Sequence, residues 1–529
     1  MINMKTIRKT KSLCPKCLRV IPAEIFEKEG KVWIRKKCPK HGSFKELYWG
    51  DYEMYQKAMK FLHDGKGIKN PNVKTKTPLC PTSCGLCKNH KSHTALGNIV
   101  VTNRCDLQCW YCFFYAKRMG YVYEPSLKQI RMMLRVMRRE KPVKANAVQL
   151  TGGEPCIRDD IIEIIKIAKE EGYDHVQLNT NGIKLAMKPN FAKKVRKAGS
   201  NTVYLSFDGT TEETNPKNHW EIPYALENCR RAGLGIVLVP TVINSVNDHD
   251  VGNILKFALK NIDIVRGISY QPVSLVGRIT KADRRKYRIT IPDVIKKIEE
   301  QTNGIVSRED WYPVPTVVPI THFVEALTNR PHYELTAHPA CGMATYLFLD
   351  GRKVVPLPKF VDVEGFLEYL DEKAKEIRSG KNKLLVSLKV LKNIGKFIDE
   401  KKQPKGLNLK RLLFNALLKH DYEALGEFHH KALFVGMMHF QDLWNYDIQR
   451  VERCVIHYAQ PDGRIIPFCA FNVIPQWYRD KIQEKFSLSI KEWERKTGKK
   501  LEDDFYKRDI KKLKSGSIYK KVYKGFHRK

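Results

Sequence analysis

Three cysteines on one short loop constrain this chain more than any other feature. Cys105, Cys109 and Cys112 form a C-x3-C-x2-C run that directly follows the apolar stretch at residues 98–102. Thiolates are the usual ligands of [4Fe–4S] clusters, and three of them hold three of the four irons. Because no fourth cysteine follows in the loop, the spacing predicts a cluster with one open iron. A zinc site and a fully ligated cluster are the alternatives.

The segment around this loop alternates between strand-like and helix-like stretches. From residue 96 to residue 290 this alternation predicts a parallel α/β sheet. Chemistry in such sheets takes place at the carboxyl ends of the strands, where Gly152-Gly-Glu-Pro155 follows the second strand. Six strands are predicted, at residues 98–102, 147–150, 176–179, 203–206, 235–239 and 267–272.

The cysteine run, the aromatic pair Trp110-Tyr111 and the Gly-Gly-Glu-Pro turn resemble the radical S-adenosylmethionine (SAM) superfamily. The resemblance implies a partial (βα)6 barrel in which Cys105, Cys109 and Cys112 are the catalytic ligands and SAM binds the open iron. It also implies that SAM is contacted by Tyr111, Gly152, Gly153, Glu154, Asn179, Ser206, Asp208 and Tyr270. Of these, Glu154 is expected at the methionine amino group and Tyr270 near the adenine.

A separate metal module is predicted at the N-terminus. Cys14 and Cys17 form one turn, Cys38 and His41 form another, and a strand-like stretch separates the two turns. Two such turns on a small β-ribbon bring four ligands into a tetrahedron, which suits Zn²⁺ or a mononuclear rubredoxin-like iron. The module has few apolar residues, so the metal is expected to supply folding energy.

Further cysteines predict auxiliary clusters. Cys80, Cys84 and Cys87 repeat the C-x3-C-x2-C spacing, which indicates a cluster with a distant fourth ligand or, alternatively, a second SAM site. Cys341 and Cys454 each precede a strand and an Asp-Gly-Arg hairpin turn, and the second hairpin returns to Cys469. These six residues suffice for two auxiliary [4Fe–4S] clusters.

Two cysteines remain. Cys156 directly follows the Gly-Gly-Glu-Pro turn and either ligates an auxiliary cluster or packs in the core. Cys229 lies in a helical stretch, where a free cysteine behaves as a small buried hydrophobe.

A strong positive charge predicts an anionic partner or, alternatively, a solvated lysine-rich surface of the kind that hyperthermophiles use. The formal net charge is +38, with 95 Lys and Arg against 57 Asp and Glu. Between the hairpins, residues 383–398 predict an amphipathic helix with lysines beside an apolar face, and residues 411–418 and 432–440 add apolar length. A basic amphipathic helix suits an anionic membrane surface, and packing on the protein's own core is the alternative.

The sequence excludes some classes and predicts a compartment. It contains no motif of a known nucleic-acid reader, so no nucleic acid is expected as a partner. It has no signal peptide and no apolar run of membrane-spanning length, which predicts a cytoplasmic protein with reduced cysteines.

Five segments are expected in this α/β chain. They are the metal module at 1–70, an auxiliary-cluster segment at 71–95, the partial barrel at 96–290, the first hairpin with the basic insert at 291–450, and the second hairpin with a basic tail at 451–529. The last two segments form a C-terminal α+β region.

Nearly the whole chain resembles the archaeal tetraether lipid synthases. The resemblance rests on the metal module, the cysteine loop, and the segments Trp311-Tyr-Pro-Val-Pro and His338-Pro-Ala-Cys341. It implies that terminal methyl carbons of anionic archaeal diether phospholipids are joined by hydrogen abstraction, at the inner membrane face, with electrons from a donor such as a ferredoxin. Radical methylation of a pterin precursor and modification of a peptide are the alternatives.

Overall fold

The computed structural model describes residues 5–73, 75–112, 114–276, 281–418 and 432–526. The N-terminal module is a four-stranded antiparallel meander in sequential order. Side chains alternate between buried and exposed along its third strand, as expected of a sheet with one covered face. Its elements are β1 (Lys5–Leu13), β2 (Val20–Lys28), β3 (Lys31–Cys38), β4 (Gly42–Trp49) and the following helix α1 (Tyr52–Met59).

All six predicted strands of the central sheet are present, and they pair in parallel in chain order. Their near-continuous apolar residues fit strands that are covered on both faces. The predicted α/β barrel class is confirmed. The strands are β5 (Leu96–Thr102), β7 (Ala147–Gly152), β8 (His175–Thr180), β9 (Thr202–Ser206), β10 (Gly235–Val239) and β12 (Val265–Pro272), with the short β6 (Tyr121–Val122) and β11 (Thr241–Val242) beside them.

The connecting helices cover the sheet with regular apolar faces. The first of them buries Ile130, Met133, Leu134 and Met137, which recur at helical spacing. The helices are α2 (Ala116–Met119), α3 (Leu127–Arg138), α4 (Ile161–Glu170), α5 (Ile183–Met187), α6 (Pro189–Lys197), α7 (Ile222–Ala232), α8 (Val251–Lys260), α9 (Lys281–Tyr287) and α10 (Ile291–Gln301).

The C-terminal half adds strands to both edges of this same sheet. β16 (Ala432–Met438) pairs in parallel with β12, and β17 (Ile456–Ala459) pairs in parallel with β5, so eight parallel strands run side by side. The prediction that residues 432–440 extend the helical insert is therefore wrong. This apolar run is short enough for a buried strand, and period alone does not separate the two.

Both predicted hairpins are present. The first joins β14 (Gly342–Asp350) to β15 (Lys353–Pro356), and the second joins β17 to β18 (Ile465–Pro467). Gly351 and Gly463 have φ values of +60° and +84° in the two turns, a conformation that glycine adopts without strain. β13 (Tyr312–Pro313) pairs with the outer side of β14.

The basic insert folds as helices that pack mainly on one another. α11 (Val318–Thr328), α12 (Val363–Arg378) and α13 (Lys383–Asn393) share an apolar cluster, and α14 (Leu409–Leu418) follows. Residues 419–431 of the predicted insert lie outside the described residues. The chain ends with α15 (Ile448–Glu452), α16 (Phe468–Val473), α17 (Arg479–Lys485), β19 (Leu488–Ser489), α18 (Ile490–Thr497), α19 (Ile510–Ser515) and α20 (Ser517–Tyr523). Across the described ranges, every helix falls short of the length and apolarity that crossing a membrane requires.

Candidate active site and metal centres

A cavity of about 350 Å³ is lined by residues of the parallel strands and of the loops that follow them. The three cysteines of the predicted SAM cluster, Cys105, Cys109 and Cys112, line it together with residues at the carboxyl ends of the strands. Burial raises the pKa of the Cys109 thiol to about 11, although Lys217 nearby opposes the shift. A bound metal cluster offsets such a cost because its positive charge stabilises thiolates, so these residues fit a cluster.

The two glycines of the Gly-Gly-Glu-Pro turn allow close packing against the start of the cysteine loop. A Cβ on Gly152 would lie 1.9 Å from the carbonyl oxygen of Thr102, and one on Gly153 would lie 2.2 Å from that of Arg104. The Gly153 amide donates to the Thr102 oxygen at 2.9 Å. Both positions therefore need glycine, because any side chain would collide with the backbone at Thr102 and Arg104. Both glycines also line the cavity.

The carboxylate of Glu154 is buried and joins two strand ends. It accepts hydrogen bonds from the amides of Cys156 and Asn181 at 2.9 and 2.7 Å, and from the hydroxyl of Thr180 at 2.7 Å. Burial raises its pKa, while these three donors oppose that shift. Glu154 lines the cavity, but its oxygens already bind the loops that follow β7 and β8.

Tyr111, Asp208 and Lys217 connect the cysteine loop to the end of β9. The Tyr111 hydroxyl donates to Asp208 Oδ2 at 2.5 Å, and Lys217 Nζ lies 2.7 Å from the same oxygen. Asp208 Oδ1 accepts from the Thr241 amide at 2.9 Å. Lys217 was missed by sequence reasoning, because it lies in a loop with no recognisable motif.

Of the other residues predicted to contact SAM, some line the cavity and one lies in the core. Asn179 and Ser206 line the cavity, and Asn179 donates to Thr151 at 3.1 Å. Tyr270 does not line it: the side chain is fully buried and its hydroxyl donates to the Val251 carbonyl at 2.8 Å. Side chains alternate along a strand, so Ser269 and Gln271 face the cavity instead.

The deeper cavity has a polar part and an aromatic part that the sequence did not reveal. Gln149 donates to Asn98 at 2.9 Å and accepts from Gln177 at 2.5 Å, which forms a chain of amides across three strands. Phe440, which follows β16, and Phe468, which follows β18, also line the cavity and stack with ring centroids 3.7 Å apart. A polar residue such as Gln149 inside an apolar strand was the available signal for the polar part.

The N-terminal cysteines converge as predicted. Cys14, Cys17, Cys38 and His41 place their ligand atoms within 4.8 Å of one another. The Cys17 and Cys38 sulfurs are 3.9 Å apart, and His41 Nδ1 lies 3.5 and 3.6 Å from the sulfurs of Cys14 and Cys38. Tetrahedral Zn²⁺ with ordinary bond lengths requires about 3.8 Å between sulfurs and about 3.6 Å between sulfur and nitrogen, so the site fits zinc.

Cys80, Cys84 and Cys87 lie on a loop that contacts the C-terminal region. Burial raises the pKa of the Cys84 thiol to about 12, with the Cys87 thiol adding to the shift. The Cys84 amide donates to the Tyr478 hydroxyl at 3.0 Å, which fixes the loop. His90 and Glu452 lie beside these cysteines around a small cavity.

The hairpin cysteines Cys341, Cys454 and Cys469 form a third group. Burial raises the pKa of the Cys469 thiol to about 11, which Arg450 opposes and Cys341 increases. Arg450 is buried and donates from Nε to the Cys341 sulfur at 3.2 Å. Arginine stays charged in proteins, so this contact places a positive charge beside the Cys341 sulfur. Sequence reasoning missed Arg450.

The two remaining cysteines are buried in the main core. The Cys156 sulfur donates to the Thr180 hydroxyl at 3.3 Å, and Cys156 packs among the apolar residues under the sheet. Cys229 is fully buried on α7. The prediction of a structural role for Cys229 is confirmed, and Cys156 takes the packed position of its two alternatives.

Fold and site together define an enzyme that cleaves SAM with an iron–sulfur cluster. The model of the radical SAM superfamily matches residues 99–258, and that of the HMPTM N-terminal zinc ribbon domain matches residues 6–50. The superfamily assignment implies a [4Fe–4S] cluster and SAM as cofactors, and the zinc ribbon adds a mononuclear metal.

Similar proteins of known activity indicate the family within this superfamily. The 7,8-dihydro-6-hydroxymethylpterin dimethyltransferase of Methanocaldococcus jannaschii is 48% identical over 501 residues, which cover 92% of this chain and 97% of that protein. The chain therefore belongs to the radical SAM superfamily and, within it, to the same family as this dimethyltransferase. The GTP 3',8-cyclase of Marinobacter nauticus is 29% identical over 40% of this chain and 63% of its own length. Among solved structures, anSMEcpe with bound AdoMet covers 45% of this chain and 67% of its own, at 16% identity and a TM-score of 0.31.

The expected tetraether lipid synthase activity is contradicted by this relative. A protein that matches almost the full length of the chain is a pterin dimethyltransferase, which agrees with the alternative of a radical pterin methylase. The metal module and the cysteine loop are thus consistent with more than one substrate, because they carry the cofactors and not the recognition of the substrate.

Proposed function

We propose that the chain is a radical SAM methyltransferase that acts on a 6-hydroxymethyl-7,8-dihydropterin. The observation that carries the proposal is the 48% identity with the pterin dimethyltransferase, over 92% of this chain. This similarity extends far beyond the part that the superfamily model matches, residues 99–258, and so supports a shared substrate class in addition to shared chemistry.

The cysteine loop has the role of holding the reacting cofactors at the cavity. Cys105, Cys109 and Cys112 hold three irons of a [4Fe–4S] cluster, which leaves one iron for SAM. When bound and reduced, this pair of cofactors supplies a 5′-deoxyadenosyl radical by cleavage of the sulfonium. We assign the electron to a reductant of low potential such as a ferredoxin.

The residues around the loop fix its position and the local charge. Asp208 and Lys217 hold Tyr111 and, through it, the loop. Lys217 also lines the cavity, where its ammonium group is suited to the carboxylate of SAM. Glu154 and Asp208 hold the strand ends in register, which keeps the loop and the cavity wall at a fixed separation.

The cavity suits a flat heterocycle with polar edges. The amides of Asn98 and Gln149, which line the cavity, provide donors and acceptors for a pterin edge, and the stacked Phe440 and Phe468 provide an apolar face. Side-chain bases do not remove protons from unactivated carbon, and abstraction of a hydrogen atom does not depend on acidity. A radical route therefore suits methylation at such a carbon.

Product analysis tests the proposal directly. Reductive cleavage of SAM leaves its methyl group on methionine, so the transferred methyl group comes from a separate donor, either a second SAM or a reduced one-carbon carrier. The anaerobically reconstituted chain is incubated with a reductant, with 7,8-dihydro-6-hydroxymethylpterin and with SAM that carries a deuterated methyl group, in the presence and in the absence of a reduced one-carbon carrier. We expect mass spectrometry to detect 5′-deoxyadenosine and pterin that has gained one or two methyl groups. Formation of 5′-deoxyadenosine with no methylated pterin from either methyl donor would exclude this substrate and leave the radical SAM class intact.

Matched variants separate the chemistry from the fold. In C105A/C109A/C112A we expect no 5′-deoxyadenosine and no methylated pterin, while zinc at the N-terminal module stays bound. C229A removes a buried cysteine outside every cysteine group and should retain both products. Cleavage of SAM by the triple variant would disprove the assignment of the loop.

A further inference from the structure

α13 presents three leucines to solvent. Leu384, Leu385 and Leu388 are 69%, 59% and 52% exposed, and they make up three of the nine large apolar side chains exposed among the described residues. Leucines are normally buried, and an exposed group of them marks an interaction site more often than a single exposed leucine does. These three side chains form the leucine face of α13.

The leucine face is not the side on which the helix packs. Val386 and Val390, on the opposite side of α13, are buried against the apolar cluster of α11 and α12. The helix is therefore anchored without its leucines, and its fold does not account for them. Asn382 caps the first turn by accepting from the Leu384 and Leu385 amides, so the leucines project from an ordered helix start.

Lysines border the leucine face. At about 100° per residue, Lys392 lies between Leu385 and Leu388 around the helix axis, and Lys389 lies just beyond Leu385. Lys389 and Lys392 are exposed on α13, and Lys396 is exposed in the turn at Ile394–Phe397 that follows the helix. Within the described ranges none of these three lysines forms an ion pair. The chain as a whole carries a net charge of +38.

We infer that the leucine face docks onto an anionic lipid bilayer. A short helix that lies in the interfacial plane inserts its apolar side chains at the level of the acyl chains, and basic residues at its border contact the anionic headgroups. A second copy of this chain is a poor occupant, because a twofold contact would bring the same lysines against each other. This inference does not depend on the pterin substrate.

Vesicle flotation tests the inference with the full chain. We compare vesicles of pure phosphatidylcholine with vesicles that contain phosphatidylglycerol, at low and at high salt. The unmodified chain should float with the anionic vesicles at low salt and be released by high salt. The variant L384S/L385S/L388S should bind about tenfold more weakly or worse, because it loses the inserted side chains.

Two further variants make the result specific. K389Q/K392Q/K396Q keeps the leucines and should weaken binding to anionic vesicles by about a hundredfold, since each lysine near the surface contributes to attraction. M132S/M187S removes two exposed methionines elsewhere on the protein, 41% and 42% exposed, and should bind like the unmodified chain. Circular dichroism checks that each variant is folded.

Several outcomes would overturn the inference. Failure of the unmodified chain to float, equal binding to both kinds of vesicle, or undiminished binding by folded L384S/L385S/L388S would each do so. Light scattering provides the remaining outcome: a dimer that the leucine variant converts to a monomer would assign the leucine face to a second copy of the chain.

Discussion

The hydroxyl of Tyr111 lies 2.5 Å from a carboxylate oxygen of Asp208, which connects the cysteine loop to the end of β9. Tyr111 stands between Cys109 and Cys112, so its position fixes the separation of the loop from the barrel strands. Burial raises the pKa of Tyr111 well above its usual value, and the Asp208 carboxylate adds to the shift. The tyrosine is therefore a neutral donor at every physiological pH.

Removal of this hydroxyl should slow SAM cleavage. A hydrogen bond to a charged group contributes about 1.5–3 kcal/mol, so we expect Y111F to reduce the rate of 5′-deoxyadenosine formation by about tenfold or more. Y287F serves as the control, because the ring of Tyr287 contacts Trp110 in the same region, away from the Tyr111–Asp208 contact. Equal rates for Y111F and the unmodified chain would show that the contact does not position the loop.

The extent to which the sequence predicted this site varies with the kind of signal. Metal ligands have fixed spacing because geometry demands it, so the convergence of Cys14, Cys17, Cys38 and His41 follows from their order alone. The sequence was a weaker guide to which side chains of a strand face the cavity. Tyr270 faces the core and Gln271 the cavity, and only the register of β12 with its neighbours determines which of the two points inward.

Contacts between distant parts of the chain had no sequence signal. β16 and β17 complete the cavity wall from segments far along the chain, and a short apolar run does not reveal its partner strand. Arg450 beside Cys341 and Lys217 beside Asp208 are single basic residues among 95 lysines and arginines. Only the folded structure shows that these two basic residues, and not the others, lie beside Cys341 and Asp208.

The zinc ribbon is attached to the C-terminal region by a buried ion pair whose loss should be costly. Arg8 of β1 donates to Asp447, which is fully buried and also accepts from Thr10 at 2.6 Å and Tyr48 at 2.8 Å. Burial alone raises the pKa of Asp447, but the charges of Arg8 and His338 and the hydrogen bonds from Arg8 and Thr10 together outweigh burial and hold the pKa well below its usual range. D447A leaves Arg8 uncompensated, so we expect the free energy of unfolding in urea to fall by about 3–5 kcal/mol.

A surface pair provides the comparison for D447A. Asp462 lies 2.8 Å from Arg464, and both side chains are partly exposed. D462A should cost less than about 1 kcal/mol, because solvent screens this pair. Equal losses in the two variants would contradict the view that the ribbon depends on Asp447.

Glu140 predicts a pH dependence of stability. Its carboxylate accepts from the Thr94 amide at 3.0 Å and from the Thr94 hydroxyl at 2.5 Å, in the core. Burial raises its pKa to about 7, although these bonds oppose the shift. Because the folded pKa exceeds the unfolded value of about 4.3, its stabilising contribution is complete below about pH 4.3 and is lost as the pH rises to about 7.

The comparison of E140Q with the unmodified chain isolates this group. Between about pH 4.3 and 7 the unmodified chain should lose up to about 3 kcal/mol of unfolding free energy that E140Q does not lose. Urea titrations at several pH values measure the difference. Parallel pH profiles would mean that Glu140 does not titrate in this range.

The two outer cysteine groups predict a defined loss of iron. Cys80, Cys84 and Cys87 lie on one loop, whereas Cys341, Cys454 and Cys469 come from the ends of two hairpins, and thiols from both groups act on the pKa of Tyr446. If each group holds its own [4Fe–4S] cluster, C80A/C84A/C87A and C341A/C454A/C469A should each lack about four irons per chain. Both should still cleave SAM, since the loop at Cys105 is intact, while C156A, at a cysteine packed in the core, should lose no iron. Loss of about eight irons from either variant would contradict two independent clusters. It would mean that each site needs the other in order to bind its cluster, since the buried thiols of both groups ionise only when a cluster is bound.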